Sequence, residues 1–304
     1  MYKHKLLIFI FALIVSPIIL AQDDSTTTGK DWKWHWNWDE WNDWEDWTID
    51  FGFQKTKPAI SLHYGLATLN RKDLQSQFVD PNLLEIKLGY IKDKVAWGTD
   101  YIINHSYKFL YLSNESNKIA GKESVGAEIE SSMWRFGFGR SSGYGYKLGE
   151  SAAIIPYYTY TMNWSNINFN YSLASTPVNE QNILKLYDES FRFGTSSEGG
   201  LRIKVIDNLM LDAGYERSIV FQRHLFWKWA GSAIIEAAAQ GLLDGFIHEV
   251  FESSPAAGPI VNFLLKNALA YGLYELRQEK MNWPFNSEAP ISYDQFKFGV
   301  TVVF

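Results

Sequence analysis

Residues 291–304 read ISYDQFKFGVTVVF, and their alternation decides the fold. Counting back from the end, Phe304, Val302, Val300, Phe298 and Phe296 share one parity. Val303, Thr301, Gly299, Lys297 and Gln295 share the other. Successive side chains of a strand point to opposite faces, so one face here is wholly apolar and the other mostly polar or small. A strand with lipid outside and a polar lumen inside carries this pattern.

The same parity recurs upstream. Ile60, Leu62, Tyr64 and Leu66 oppose Ser61, His63, Gly65 and Ala67, and Leu84, Ile86, Leu88 and Tyr90 oppose Glu85, Lys87 and Gly89. From Val95 to Phe109 the apolar parity (Trp97, Tyr101, Ile103, Tyr107) is taken as outward, which places His105 outward as well. Trp134, Phe136 and Phe138 oppose Arg135, Gly137 and Gly139, and a parity change after Ile129 predicts a bulge near residues 131–133. Phe191, Phe193, Leu201, Ile203 and Val205 lead through Asp207-Asn208 into Leu209, Leu211, Ala213 and Tyr215, a hairpin signature. Eight principal strands are expected, with residues 48–54 and 166–173 as candidates for more, so that ten to twelve stays open. An even number returns the chain end to the side where it began.

The N-terminus fixes the compartment. Lys3 and Lys5 precede an apolar run from Leu6 to Leu20, with small Ala21 before Gln22. Its length suits a signal peptide better than a membrane anchor. There is no cysteine, hence neither a disulfide framework nor thiolate chemistry. The net charge of −6 and the lack of a basic patch exclude nucleic acid as a partner. Aromatic residues reach 16%, a load suited to interfacial girdles. A soluble β-sandwich also alternates, and the signal peptide together with the terminal Phe304 weighs against it. The last strand resembles the C-terminal assembly signal of bacterial outer-membrane barrels, which ends in an aromatic residue. That resemblance implies the outer membrane as location, its lipid bilayer as surroundings, and the barrel assembly machinery as a partner through Phe304. The expected class is all-β, an antiparallel up-and-down transmembrane β-barrel. Its expected organisation is a signal peptide (1–21), a Trp-rich acidic periplasmic segment (22–47) and a barrel domain (48–304).

Within that domain, residues 226–281 lose the two-residue period. Gly231–Phe251 is alanine-rich, with Ala233, Ala237, Gly241 and Gly245 as a small-residue stripe suited to close helix packing. Ser253–Pro259 is a break, and a second helix runs to about Lys280. An α-helical hairpin before the last strand follows. It is too apolar to float free, so it caps the barrel mouth, lies in the outer leaflet, enters the lumen or packs on its own barrel. Glu236, Asp244, His248 and Glu249 argue against a helix surrounded by lipid.

Two sets of residues are candidates for function. The tract DWKWHWNWDEWNDWEDW at 31–47 carries Trp32, Trp34, Trp36, Trp38, Trp41, Trp44 and Trp47 among acidic groups. Trp rings favour membrane interfaces and sugar faces, so the tract reads as an interfacial anchor, a binder of cell-wall or lipopolysaccharide glycan, or a spacer. Asp100, Arg135, Arg192, Arg202, Lys204, Glu216 and Lys297 are the charges expected in the lumen. Catalysis finds little support. In Asn104-His105-Ser106 the adjacent residues point to opposite faces, and no metal or cofactor motif appears. Three functions compete: a structural or envelope-binding barrel, a small-solute or hydrophobic-molecule channel plugged or gated by the hairpin, and a lipid-modifying enzyme. Crossing ion pairs in an eight-stranded lumen would favour the first; a wider, glycine-lined lumen would favour the second.

Overall fold

The computed structural model describes residues 56–120, 128–188 and 190–304. The segment expected to be a signal peptide, the Trp tract and the candidate strand at 48–54 lie outside those residues. Eight strands form one closed antiparallel barrel in sequence order: β1 (Lys57–Asn70), β2 (Asn82–Val95), β3 (Ile102–Ser116), β4 (Glu130–Lys147), β5 (Ala153–Asn170), β6 (Phe191–Ile206), β7 (Leu209–Val220) and β8 (Ile291–Val303). β8 closes on β1 from Ala59↔Val303 to Asn70↔Ser292. Residues 166–170 extend β5 and add no strand of their own. Connections at one rim are short (96–101, 148–152 and 207–208). Those at the other are long (71–81, 117–129, 171–190 and 221–290).

The period-2 reading holds for most of the wall. Leu62, Leu88, Phe298 and Val300 are exposed on the outside, while Ser61, His63, Glu85, Lys297 and Thr301 are buried inside. β3 is inverted relative to expectation. Ile103, His105, Tyr107, Phe109 and Tyr111 face the lumen, and Leu110 and Leu112 face out. The reason is size matching across strands. A Cβ on Gly139 would stand 2.9 Å from the Phe109 ring, and one on Gly89 would stand 2.0 Å from the Lys108 carbonyl oxygen. Glycines on the flanking strands thus open room for the β3 rings, and the lumen that they vacate is filled by aromatic side chains. The expected bulge at 131–133 is absent. β4 pairs in continuous register there because Ile129 and Met133 both face inward.

Among the described residues, three α-helices interrupt the strands, besides a 3-10 turn at Asn117–Ala120: α1 (Val178–Lys185) between β5 and β6, and α2 (Phe226–Ser253) and α3 (Gly258–Arg277) between β7 and β8. Pro259 occupies the first turn of α3, where its missing N–H costs nothing. The α2–α3 hairpin neither caps the mouth nor enters the lumen; it lies against the outside of the barrel. Asn267 of α3 covers Gly199, whose side faces out, and Lys266 sits 5.5 Å from the outward ring of Tyr158. The small-residue stripe is not the α2–α3 contact, since Gly241 and Gly245 have open space where a Cβ would stand. A polar stripe one position earlier makes that contact instead.

The long-connection mouth is closed by loops. Leu69, Met133, Ile167, Tyr187, Val220, Ile291 and Tyr293 form an apolar layer beneath it. Arg71 ties three connections together, donating to Tyr187 (2.6 Å), Asp73 (2.6 Å) and Gln222 (3.0 Å). Glu180 of α1 accepts from the backbone N–H groups of Gln75 (2.9 Å) and Ser76 (3.2 Å). Burial pushes the Glu180 carboxyl up, and the Ser76 side chain together with these N–H groups outweighs it, holding the group below its ordinary value.

Candidate functional site

The lumen gathers charge from nearly every strand. Because inward positions alternate along each strand, eight strands bring their polar parities into one column of buried side chains. Lys297 on β8 stands at its centre. Its Nζ donates to Glu85 Oε1 (3.1 Å) on β2 and to Glu216 on β7, and lies 2.7 Å from Glu198 Oε2 on β6. Lys87 adds a second ammonium, 3.3 Å from Glu85 Oε1 and 3.6 Å from Glu198 Oε2. Tyr157 donates to Glu198 Oε1 at 2.5 Å. Each carboxylate therefore meets at least one cation or hydroxyl donor, the condition under which a buried charge is tolerated.

Arg135 on β4 spans the lumen toward the long-connection mouth. It donates to Glu216 Oε1 (2.5 Å), Tyr293 OH (2.6 Å), Ser113 Oγ (3.2 Å) and Ser218 Oγ (3.3 Å). Glu115 Oε1 lies 3.0 Å from Arg135 Nη2, an ionic contact without hydrogen-bond alignment. The guanidinium also lies over the rings of Tyr111 (5.3 Å) and Tyr293 (5.0 Å), which suits a planar, weakly hydrated cation.

A second charged layer sits nearer the short-turn rim. Arg202 pairs with Asp212, and Asp212 Oδ2 accepts from Thr301 Oγ1 at 2.7 Å. His105 bridges Asp93 through Nδ1 (2.6 Å) and Arg202 Nη1 through Nε2 (2.5 Å), which assigns the ring proton to Nδ1. His105 is thus a lumen residue, contrary to the outward position read from parity, and Ser106 points to the opposite face. The two do not form a nucleophile–base pair. His63 lies between Glu85 (3.6 Å) and Asp212 (3.8 Å) and links the two layers. Below them Ala59, Ile91, Tyr107, Met210 and Val303 close the barrel with apolar side chains.

The charges expected in the lumen divide into three groups. Arg135, Arg202, Glu216 and Lys297 meet in the network. Lys204 lies at the short-turn rim, 3.5 Å from Asp93 and 3.1 Å from Asp207, and Arg192 lies at the other rim, where it donates to the Leu186 carbonyl. Asp100 is exposed outside the lumen. β2 ends at Val95, and the turn that follows lifts Asp100 onto the rim before β3 begins. Glu85, Lys87, Glu198 and Asp212 complete the network; all four stand on inward parities that a full census of each strand would have selected. Trp32, Trp34, Trp36, Trp38, Trp41, Trp44 and Trp47 lie outside the described residues.

No protein-family model and no curated protein matches this chain. Solved structures do. The chain is similar to the attachment invasion locus protein Ail of Yersinia pestis at 8% identity, over 82% of this chain and 99% of that one, with a TM-score of 0.35. It is similar to Neisserial surface protein A at 10% identity, over 81% and 97%, with a TM-score of 0.38. A complex of Ail with the heparin analogue sucrose octasulfate also matches, at 10% identity over 82% and 99%, with a TM-score of 0.30.

Removing Lys297 leaves three buried carboxylates facing one another. Lys297→Met is expected to lower unfolding free energy by about 3–5 kcal/mol, as for other broken buried ion pairs. Adding Glu198→Gln to it should restore part of the loss. Urea titration in detergent micelles reads both effects, and an unchanged midpoint in Lys297→Met would show that the cluster is not a structural unit.

Proposed function

We propose that this chain is a bacterial outer-membrane β-barrel protein with a structural or envelope-binding role and a sealed lumen. The observation that carries the reading is the polarity of its wall. Bulky apolar side chains such as Leu62 (61% exposed), Leu110 (65%) and Phe298 (53%) stand outside, while Arg135 and Lys297 are buried inside. A water-soluble domain places its apolar groups the other way round. Alternating strands with an apolar outer band suit lipid, and the short turns at one rim and long connections at the other suit the periplasmic and outer sides of such a barrel.

The charge network and the two apolar layers support a scaffold over a conduit. A channel gated by the helical hairpin finds no support in the geometry, because α2 and α3 lie outside the wall. In planar bilayers the intact protein is expected to show no ohmic conductance, and deletion of residues 226–281 should open none. Conductance in the intact protein would favour transport, and conductance appearing only on deletion would restore the gate.

Binding would then fall to the segments outside the barrel. We assign the Trp tract to envelope glycan, on the strength of alternating rings and acidic groups that suit sugar faces better than anionic headgroups. Contact with the assembly machinery through β8 and Phe304 is proposed from the resemblance of that strand. Substituting Trp32, Trp34, Trp36 and Trp38 together by Ala should abolish retention on immobilised cell-wall or lipopolysaccharide glycan. Equal retention of both proteins would leave the tract a spacer.

A further inference from the structure

The α2–α3 hairpin pairs its central charges between the two helices and exposes large apolar side chains, while Leu243, Ile247 and Phe251 of α2 pack against Ile102, Leu265 and Leu269. On α2, Ser232, Glu236, Gln240 and Asp244 recur every four residues and form one stripe. That stripe meets two cations of α3. Arg277 donates to Ser232 Oγ (3.0 Å) and Glu236 Oε2 (2.8 Å); Lys266 donates to Gln240 Oε1 (3.0 Å) and pairs with Asp244. Lys266 and Arg277 are only 4% and 8% exposed. The solvent-accessible side has the opposite character. Trp227, Ile234, Leu242 and Phe246 on α2 and Ile260, Leu264 and Tyr271 on α3 are exposed, with Ile234 at 69% and Leu264 at 57%. On α3 the buried side holds Asn262, Lys266 and Arg277 together with Leu273 and Tyr274, and the exposed stripe is Ile260, Leu264, Ala268 and Tyr271.

The hairpin also covers the full height of the wall. At its start, Trp229 packs edge-on to Phe193 (5.6 Å), where β6 leaves the long-connection rim. At the far end of α2, Phe251 stacks on Trp97 (4.6 Å, 4°) and meets Tyr144 (4.5 Å), both at the short-turn rim. Tyr146 there donates to the Ala256 carbonyl in the bend between the helices (2.6 Å). Trp97 holds a left-handed backbone (φ 59°) in the β2–β3 turn, beside Gly98 (φ 62°). That conformation is unfavourable for a bulky residue, and the rings of Phe251, His248 and Tyr144 pack around Trp97 to hold it. The 28 residues of α2 span about 42 Å at the helical rise, more than an apolar band of about 25 Å.

We infer that the α2–α3 hairpin is a membrane-embedded part of the wall, its Ile234–Leu242–Phe246 and Ile260–Leu264–Tyr271 face covered by lipid acyl chains from one rim to the other. This rests on the outer-membrane reading above. Continuity names the occupant: the outward faces of β1, β2 and β8 carry Leu62, Leu88 and Phe298, and the hairpin continues that surface over β4–β7, where α3 packs. Taken alone, no described helix is long and apolar enough to cross a membrane. The four charges in the middle of the hairpin pair across the two helices: Glu236, Lys266 and Arg277 are largely buried, and Asp244, 34% exposed, keeps Lys266 as its partner. Lys228, Glu249, Glu252 and Glu275 stand at the ends of the helices. The objection raised by Glu236 and Asp244 to lipid contact is met by their partners on α3. His248 and Glu249 stand in the last turns, at the short-turn rim.

The chain has no cysteine, so single nitroxide labels can be placed without background. Ile234→Cys, Leu242→Cys, Phe246→Cys and Leu264→Cys would be labelled in the full-length protein in phospholipid vesicles. Leu62→Cys and Leu88→Cys serve as wall references and Ser254→Cys as the bend. Collisions with oxygen and with a water-soluble nickel chelate are then compared. The inference predicts oxygen-dominated collisions at all four hairpin sites, matching Leu62 and Leu88, with the greatest depth at Leu242 and Leu264 and nickel access only at Ser254. Nickel access at the hairpin with oxygen at the wall references would overturn the inference and leave the membrane reading standing. Nickel access at the wall references would overturn the membrane reading itself. Protection from both reagents with spin–spin broadening would also overturn it, in favour of a second copy covering the face.

Discussion

The ammonium of Lys297, held among Glu85, Glu198 and Glu216, is the constraint on which the rest of the barrel depends. It joins β8 to β2, β6 and β7 at one level of the lumen. Arg135 repeats the device one level higher, joining β4 to β3, β7 and β8. Neither contact survives a one-residue slip of a strand that it joins, because a slip turns every inward side chain of that strand to the outside. On the proposed membrane reading, lipid outside would remove the hydrophobic reward for an apolar core, and buried polar pairs would hold the interior instead. The same solvent logic would reach the helices, whose paired charges meet between α2 and α3 and whose exposed stripes are apolar.

Packing around those charges explains the glycines. Gly200 and Gly214 lie where a Cβ would stand 2.5 Å and 2.7 Å from the Tyr157 hydroxyl, and a Cβ on Gly299 would meet the His63 ring at 2.1 Å. Each glycine makes room for a large side chain from another strand. Their abundance thus reflects a filled lumen instead of an open one. With rings beneath the charges and an apolar layer above them, both ends of the ionic column are shut by side chains and loops.

Much of this was legible in the sequence, and the failures have physical causes. The middles of β8, β1 and β2 (295–302, 60–67 and 84–90) alternate cleanly because aliphatic and aromatic groups face out there and polar or small ones face in, while their ends carry the inward apolar groups of the two closing layers. β3 misleads because Tyr107, Phe109 and Tyr111 serve as lumen filling and as platforms for Lys87, Arg202 and Arg135, so apolar parity there means inside. Asp100 misleads because parity cannot be carried through a turn. Loss of the two-residue period marks the helical insertion well, yet its placement depends on which partners Glu236 and Asp244 find, and those partners lie on a second helix. Glu85, Lys87, Glu198 and Asp212 were readable from parity alone, and only their convergence on Lys297 required the closed barrel.

The central claim, a dry ionic cluster that closes the barrel, is tested most directly at the Lys297 side chain. Lysine selectively labelled with nitrogen-15 in the detergent-solubilised protein allows the ammonium protons to be observed by NMR. A buried ammonium donating to fixed carboxylates gives a sharp signal whose protons exchange slowly with water, and Lys297→Met assigns it by its disappearance. A water-filled lumen would exchange those protons too fast for any such signal, and its absence from the folded protein would contradict the account.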